Sequence, residues 1–175
     1  IFEDFEIWAH IFRTLLYTFI CVTSNFILAI GFAVVTLSIA KNFSEKLGVA
    51  LRQIIIIPMI LIPTAASVMW AFAYTEHYGW VNHAIAALGL EPFPWLSSDG
   101  AFYLVMITDI WGWTPFVYLI LLAGMQSLPE EPIEAAKVDG ATSWQTLIYV
   151  ILPMMRSVII VALTIKALDT YRAFD

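Results

Sequence analysis

Long uncharged blocks alternate with short charged segments along this chain. Residues 14–40 carry no charged side chain. At ~1.5 Å per helical residue that stretch reaches roughly 40 Å, more than the ~30 Å of hydrocarbon a spanning helix must cross. Residues 54–74 form a second uncharged block. Residues 101–125 form a third, broken only by Asp109, and residues 157–174 a weaker fourth that carries Lys166, Asp169 and Arg172. The pattern predicts an all-α, polytopic helical membrane protein with four transmembrane helices, at about 14–40, 54–74, 101–125 and 157–174.

Composition sharpens that expectation. The chain is 61% hydrophobic and 13% charged, with a mean hydropathy of +0.85. Soluble domains sit near ~45–50% apolar and about 25% charged, so the excess reads as lipid-facing surface. The net charge of −6 falls mostly between the apolar blocks and reads as solvated loop charge. No basic run points to nucleic acid. The single cysteine, Cys21, lies inside an apolar block and offers neither a disulfide framework nor a zinc site. The chain opens on Ile1 with no signal-peptide pattern, as an excerpt of a longer polypeptide would.

Proline interrupts two of the blocks: Pro58 and Pro63 in the second, Pro115 in the third. Each removes a backbone donor and crowds the preceding turn, which neighbouring helices make tolerable in a membrane. Such positions serve either as local bends for packing or as a hinge or cavity wall.

Lys and Arg set the orientation. Residues 41–53 carry Lys41, Lys46 and Arg52, and residues 126–156 carry Lys137 and Arg156. Residues 75–100 carry none, only Glu76, Glu91, Asp99 and the two histidines His77 and His83. The first and third connections therefore share the cytoplasmic side. Both ends then face outward, which suits Glu3, Asp4 and Glu6, with Arg13 against the trend. In the outer connection, Tyr78, Trp80, Phe93 and Trp95 read as an interfacial aromatic collar or as a docking face for an external partner. The histidine spacing matches no metal site.

The connection at 126–156 is patterned. Ser127 with Glu130 makes a capping-box pair, followed by Pro132, and a short helix is expected over residues 133–139 with Gly140 as its left-handed stop. Thr142 with Gln145 makes a second capping box, opening a helix toward Leu152 that stops at Pro153. The expected object is a cytoplasmic helix pair joined by a sharp glycine turn. A stiff projecting helix transmits a push where a floppy loop does not. Ala135 and Ala136 admit close approach of another surface, and Glu134 and Asp139 add charge to orient it.

The run Glu134-Ala135-Ala136, Gly140 and Val150-Ile151-Leu152-Pro153 resembles the EAA motif of binding-protein-dependent ABC importer permeases: EAA, three residues, Gly, nine residues, Ile-x-Leu-Pro. The spacing matches in full, and Val150 replaces the usual Ile. Further segments resemble the carbohydrate-uptake branch, maltose and glycerol-phosphate permeases among them: Ile57-Pro58 with Pro63, Trp95-Leu96, Asp109-Ile110-Trp111, Thr114-Pro115-Phe116, residues 123–129, and Phe174-Asp175. The likeness implies that residues 1–175 are part of one ABC transporter transmembrane domain, incomplete at both ends. It implies an inner-membrane location and that Glu134, Ala135, Ala136, Asp139, Gly140, Ala141 and Pro153 belong to a coupling loop facing an ATPase. It further implies an ABC ATPase dimer that binds the ATP, a second permease subunit, and an extracytoplasmic solute-binding protein. No phosphate-binding Gly-rich loop is present, so no cofactor and no catalytic residue are expected on this chain.

Ionisable groups inside a membrane segment usually face a bundle interior or a wet cavity. Asp109 is the clearest, with Gly112, Trp113 and Phe116 near its face by helical spacing and Trp111 beside it. A carboxylate among aromatic rings suits a sugar; the alternative is a structural Asp paired to a neighbouring helix. Lys166, Asp169 and Arg172 share one side of the fourth helix, where internal ion pairing is the expectation. Two functions remain open: the ABC permease of a sugar-like solute, and an ion-coupled secondary transporter favoured only by the buried charges. A membrane-embedded enzyme has no spaced catalytic set to support it.

Overall fold

The computed structural model describes residues 5–76 and 78–172, and the regular structure within them is helical. His77, Glu3, Asp4, Phe174 and Asp175 lie outside the described residues, as do the side chains of Glu6, Asp99 and Arg172.

Helix α1 (Phe5–Asn42) is 38 residues long and contains the whole first block. Its buried positions are Tyr17, Cys21, Asn25, Ala29 and Ala33, a strict i, i+4 stripe that ends near Thr36. This stripe packs along α5 (Ser98–Gln126). The opposite faces hold exposed Phe12, Phe19 and Ile27, at 66%, 70% and 63%, the surface expected to meet lipid. In lipid the hydrophobic effect does not drive helix against helix, so close contact between small residues and backbone carries the packing. Ala29 and Ala33 fill that role against Val117, Tyr118 and Leu121 of α5. Two hydroxyl pairings fasten the same seam. Thr36 Oγ1 and the Tyr118 hydroxyl are 3.0 Å apart, and the Thr114 hydroxyl lies 2.9 Å from Asn25 Oδ1.

The connection expected at 41–53 is mostly helical. α1 runs to Asn42 and α2 (Glu45–Ile60) begins three residues later, leaving Phe43 and Ser44 as the turn. Gly48 makes this tight reversal possible, because a Cβ there would stand 2.7 Å from Ala40 Cβ.

The second apolar block is not one continuous helix. α2 ends at Ile60, Leu61 and Ile62 are extended, and α3 (Pro63–Ala73) starts at 95° to it. Pro63 is the cause: it has no N–H to continue the ladder, it biases Ile62 toward extended backbone, and it is well suited to open a new helix. Pro58 stays inside α2, and Pro115 stays inside α5 fully buried.

A short helix, α4 (Trp80–Ala87), precedes α5, whose first turn is capped by Ser97 accepting from the Gly100 N–H at 3.1 Å. After α5 come α6 (Glu130–Val138) and α7 (Ser143–Thr146), a π-helical turn (Leu147–Ile151), and α8 (Leu152–Met154). The last helix, α9 (Arg156–Arg172), leaves this segment at 76°. Helices α1 and α5 are each long and apolar enough to cross a membrane; the bent pairs α2/α3 and α7–α8/α9 make four spans if each pair counts as one.

Candidate functional site

The bend between α2 and α3 leaves a concavity against α5. Its volume is about 670 Å³, and its walls come from Pro58 and Met59 of α2, Leu61 at the bend, Ser67 and Trp70 of α3, Tyr17 of α1 and a broad arc of α5. The four positions singled out in the sequence, Asp109, Trp111, Trp113 and Phe116, all line it, together with Gly112 and Thr108. Helical spacing puts Gly112, Trp113 and Phe116 on the face of Asp109, whereas Trp111, two residues on, reaches the cavity from the side of α5 where Trp70 meets it.

Asp109 is held by Lys166 of α9. The ammonium donates to both carboxylate oxygens, at 2.9 and 2.8 Å. The Lys166 side chain is fully buried, whereas Asp109 keeps 15% of its side-chain surface open. Lys166 Nζ also sits 4.8 Å from the centre of the Trp113 ring. Asp109 is thus paired to a neighbouring helix, as one of the two alternatives has it, and also lines the cavity. Lys166 pairs across to α5.

Aromatic rings brace each other around this space. Trp70 meets Trp111 edge-on at 5.2 Å and stacks on Tyr74 at 5.2 Å, and Trp113 meets Phe116 edge-on at 5.3 Å. Such contacts fix ring planes as well as burying area. Trp70 and Tyr17 were not singled out by sequence. Tyr17 carries a signal, the i, i+4 stripe on α1; Trp70 carries none, because its place depends on the 95° turn.

Between α3 and α5, Asn82 of α4 is 3% exposed and anchors the following segment. Its Oδ1 accepts from the Phe93 N–H at 3.2 Å and from the Trp95 indole at 3.0 Å, and its amide donates to the Phe93 carbonyl at 3.1 Å. The expected collar thus divides. Tyr78 and Trp80 are exposed at 90% and 61%, while Trp95 is pinned inward beside Tyr74. His83 is exposed.

The other candidate site is the connection after α5. Here the expected first capping box does not form. Ser127 is the C-cap of α5, and its hydroxyl donates back to the Gly124 carbonyl at 2.8 Å. The α5 helix runs on to claim it, so Pro129 takes the N-cap position and α6 starts at Glu130 rather than at Ile133. The helix end is as expected. Gly140 has φ +81°, its N–H bonds the Lys137 carbonyl at 3.0 Å, and the Ala141 N–H bonds the Ala136 carbonyl at 2.9 Å. These two bonds make a Schellman stop. The second capping box forms in full, with Thr142 N–H to Gln145 Oε1 at 2.8 Å and Gln145 N–H to Thr142 Oγ1 at 3.2 Å.

Pro153 does not end the helix. The chain continues to Met154 because the turn before the proline widens to π geometry, which relieves the clash between its ring and the preceding carbonyls. The break comes at Met155. Of the expected coupling residues, Glu134, Ala135, Asp139, Gly140 and Pro153 are exposed, and Ala136 and Ala141 are half-buried. Val138 and Trp144, which the motif does not mark, stand beside them at 87% and 69% exposed.

Residues 11–170 match the family model described as binding-protein-dependent transport system inner membrane component. The chain belongs to this family. Similar members include the trehalose/maltose transport system permease protein MalF of Thermococcus litoralis, 35% identical over 97% of this chain and 56% of that protein. The trehalose transport system permease protein SugA of Mycobacterium tuberculosis is 34% identical over 96% of this chain and 52% of its own length. The chain spans about half the length of the curated relatives it matches. A crystal structure of a bacterial alginate ABC transporter, in complex with an alginate pentasaccharide-bound periplasmic protein, superimposes with a TM-score of 0.78. It is 23% identical and covers 94% of this chain and 57% of that one, so the likeness is one of fold. The family is an inner membrane component, in keeping with the two to four candidate spans.

Proposed function

We propose that this chain is part of the membrane-spanning permease subunit of an ATP-driven importer. It forms the passage for a sugar or related small solute and performs no catalysis itself. ATP is bound and hydrolysed by a separate ABC ATPase dimer. A second permease subunit and an extracytoplasmic solute-binding protein complete the assembly. The α6–Gly140–α7 segment faces the cytoplasm and is the part the ATPase grips.

The observation that carries this reading is the build of that segment. A Schellman stop and a capping box stiffen both sides of the short turn at Gly140 and Ala141, and Glu134, Ala135, Asp139 and Gly140 are left exposed. Stiffness with an open face is what force transmission from a separate motor requires. Relatives named as sugar-transport permeases support the solute class, and so does a cavity that sets one carboxylate among aromatic rings. Two of the buried charges that favoured an ion-coupled carrier, Asp109 and Lys166, are paired to each other, which weakens that support.

The test is Gly140→Arg in the full-length permease with its partner subunits. A Cβ at Gly140 would meet open space, while its φ of +81° strains any side chain alike, so Gly140→Ala is the control and the further loss in Gly140→Arg reports the added bulk. The arginine variant is expected to reach the membrane but to lose ATPase assembly and solute uptake. Normal uptake would refute the coupling role.

A further inference from the structure

Asp109 carries the single formal charge among the described residues that line the cavity, and Lys166 cancels it from behind the wall. The other polar groups in the lining are the hydroxyls of Tyr17, Ser67 and Thr108 and the indole nitrogens. We infer that the cavity selects uncharged, hydroxyl-rich ligands against anionic ones, and that Lys166 is the residue that positions their acceptor, Asp109. The inference deepens the reading of the cavity as a solute path and rests on it.

The physical case is one of charge and free lone pairs. An anionic solute, such as a phosphorylated or sulfonated sugar, would lose hydration on entering a largely apolar wall. Among the described residues no cation in the lining is free to compensate it. The Lys166 ammonium is fully buried and already spans both oxygens of Asp109, so an entering anion meets a carboxylate before it meets the amine. A neutral polyol has no such debt. An ionised carboxylate offers roughly four lone-pair sites, and two hydrogen bonds to Lys166 leave acceptor capacity on the exposed part of Asp109. That capacity suits donor hydroxyls. The rings of Trp111, Trp113 and Phe116 offer apolar faces to the C–H surface of a sugar. Lys166 also fixes the place of the acceptor, because its contacts to Asp109 and to the Trp113 ring tie α9, α5 and one aromatic wall together.

The experiment uses the full-length permease assembled with its partner subunits in proteoliposomes. Uptake and stimulated ATP hydrolysis are measured for a panel of uncharged mono- and disaccharides, and each transported sugar is competed with its own phosphate ester. The expected result is uptake of an uncharged sugar with no competition from the ester at about tenfold excess, a level that would expose affinities within about 1.4 kcal/mol of each other. Competition equal to that of the parent sugar overturns the inference and leaves the importer reading standing. Absence of uptake and of stimulation by every sugar and ester sinks the importer reading itself.

Three variants test Lys166. Lys166→Met leaves Asp109 without the partner that fixes its place and is expected to raise KM for the sugar by about tenfold or more through misplacement of the acceptor. Lys166→Arg, which keeps the charge, recovers part of that loss. Asp109→Asn with Lys166→Met removes both charges and is expected to give a lower KM than Lys166→Met alone. A fall in membrane abundance or in maximal rate with KM and ester discrimination unchanged across the series would assign Lys166 a structural role only, against the inference. Should Lys166→Met fail to reach the membrane, Lys166→Arg and the double variant decide: a KM raised in either supports the positioning role, and a KM unchanged in both overturns it.

Discussion

Gly124 of α5 and Met155 meet where the chain turns 76° from α8 into α9. A Cβ placed on Gly124 would lie 2.8 Å from Met155 Cε and 3.0 Å from Val158 Cγ1. Met155 is fully buried in the same core cluster as Leu121, Leu122 and Met125. The missing side chain at Gly124 is thus what lets the bend seat against α5, just inside the loop that carries α6. The α5 helix forms one wall of the cavity, so this contact joins the exposed foot of the molecule to its interior.

Substitution at Gly124 should read out that contact. Gly124→Ala asks only that the flexible end of Met155 swing aside and is expected to cost little. Gly124→Val adds branches against Val158 as well and should destabilise by about 1–3 kcal/mol, the range for overpacked cores. Thermal unfolding of the purified full-length permease in detergent measures the difference. Val158→Ala in the same chain should restore part of the loss, since touching sites are not additive. Equal melting of Gly124→Val and the parent would mean that the seat is loose.

Backbone conformation alone should govern Gly140. Its φ of +81° lies in the left-handed region, and open space surrounds the Cβ position. Gly140→Ala is therefore expected to cost about 1–2 kcal/mol through the strain of an L-residue there. Gly140→Asn should cost less, because asparagine adopts that region more readily. Hydrogen exchange at the Gly140 and Ala141 amides, the two donors of the helix stop, is the direct measurement. Faster exchange in the alanine variant is expected, and unchanged exchange would show that the stop does not depend on glycine.

How much of this was legible depended on how far the deciding contact reaches along the chain. The Gly140 stop and the Thr142–Gln145 box are closed within a few residues, so the spacing of residue types announces them. Ser127 and Glu130 have the same spacing and form no box, because α5 continues far enough to make Ser127 its own last cap; nothing local says which helix wins. Pro63 announces a break, but the direction of α3 after it depends on packing. Asp109 and Lys166 are 57 positions apart, and the partner of each becomes visible only when α5 and α9 lie together. Asn82 looks like an ordinary polar loop residue until its three partners close around it.

Asn82 gives the next prediction. Asn82→Ala removes the acceptor shared by the Phe93 N–H and the Trp95 indole, along with the donor to the Phe93 carbonyl. Leaving buried partners unpaired costs about 1–3 kcal/mol each where water cannot replace the lost group. The loss should appear as faster proteolysis or hydrogen exchange across residues 88–97. Asn82→Asp keeps the acceptor but sets a carboxylate oxygen against the Phe93 carbonyl, so its defect should ease as pH is lowered and the carboxyl protonates. A defect in Asn82→Asp that does not change with pH would argue against that geometry.

The hydroxyl pair between Thr36 and Tyr118 tests how the two longest helices hold together. Both residues are buried, at 2% and 0% exposure, and their oxygens are 3.0 Å apart on the α1–α5 seam. Removing one hydroxyl leaves the other without its partner in a place water does not reach. Removing both exchanges a polar contact for an apolar one of nearly the same shape. Tyr118→Phe and Thr36→Val should therefore each destabilise, while the double variant loses less than their sum. The coupling expected from a double-mutant cycle is about 0.6 kcal/mol, the average for interhelical hydrogen bonds in membrane proteins. It is small because the separated helices also find partners for these groups. Unfolding of the four chains in bicelles gives the value directly, and a coupling of zero would mean that the small side chains at Ala29 and Ala33 carry the seam without help from this hydrogen bond.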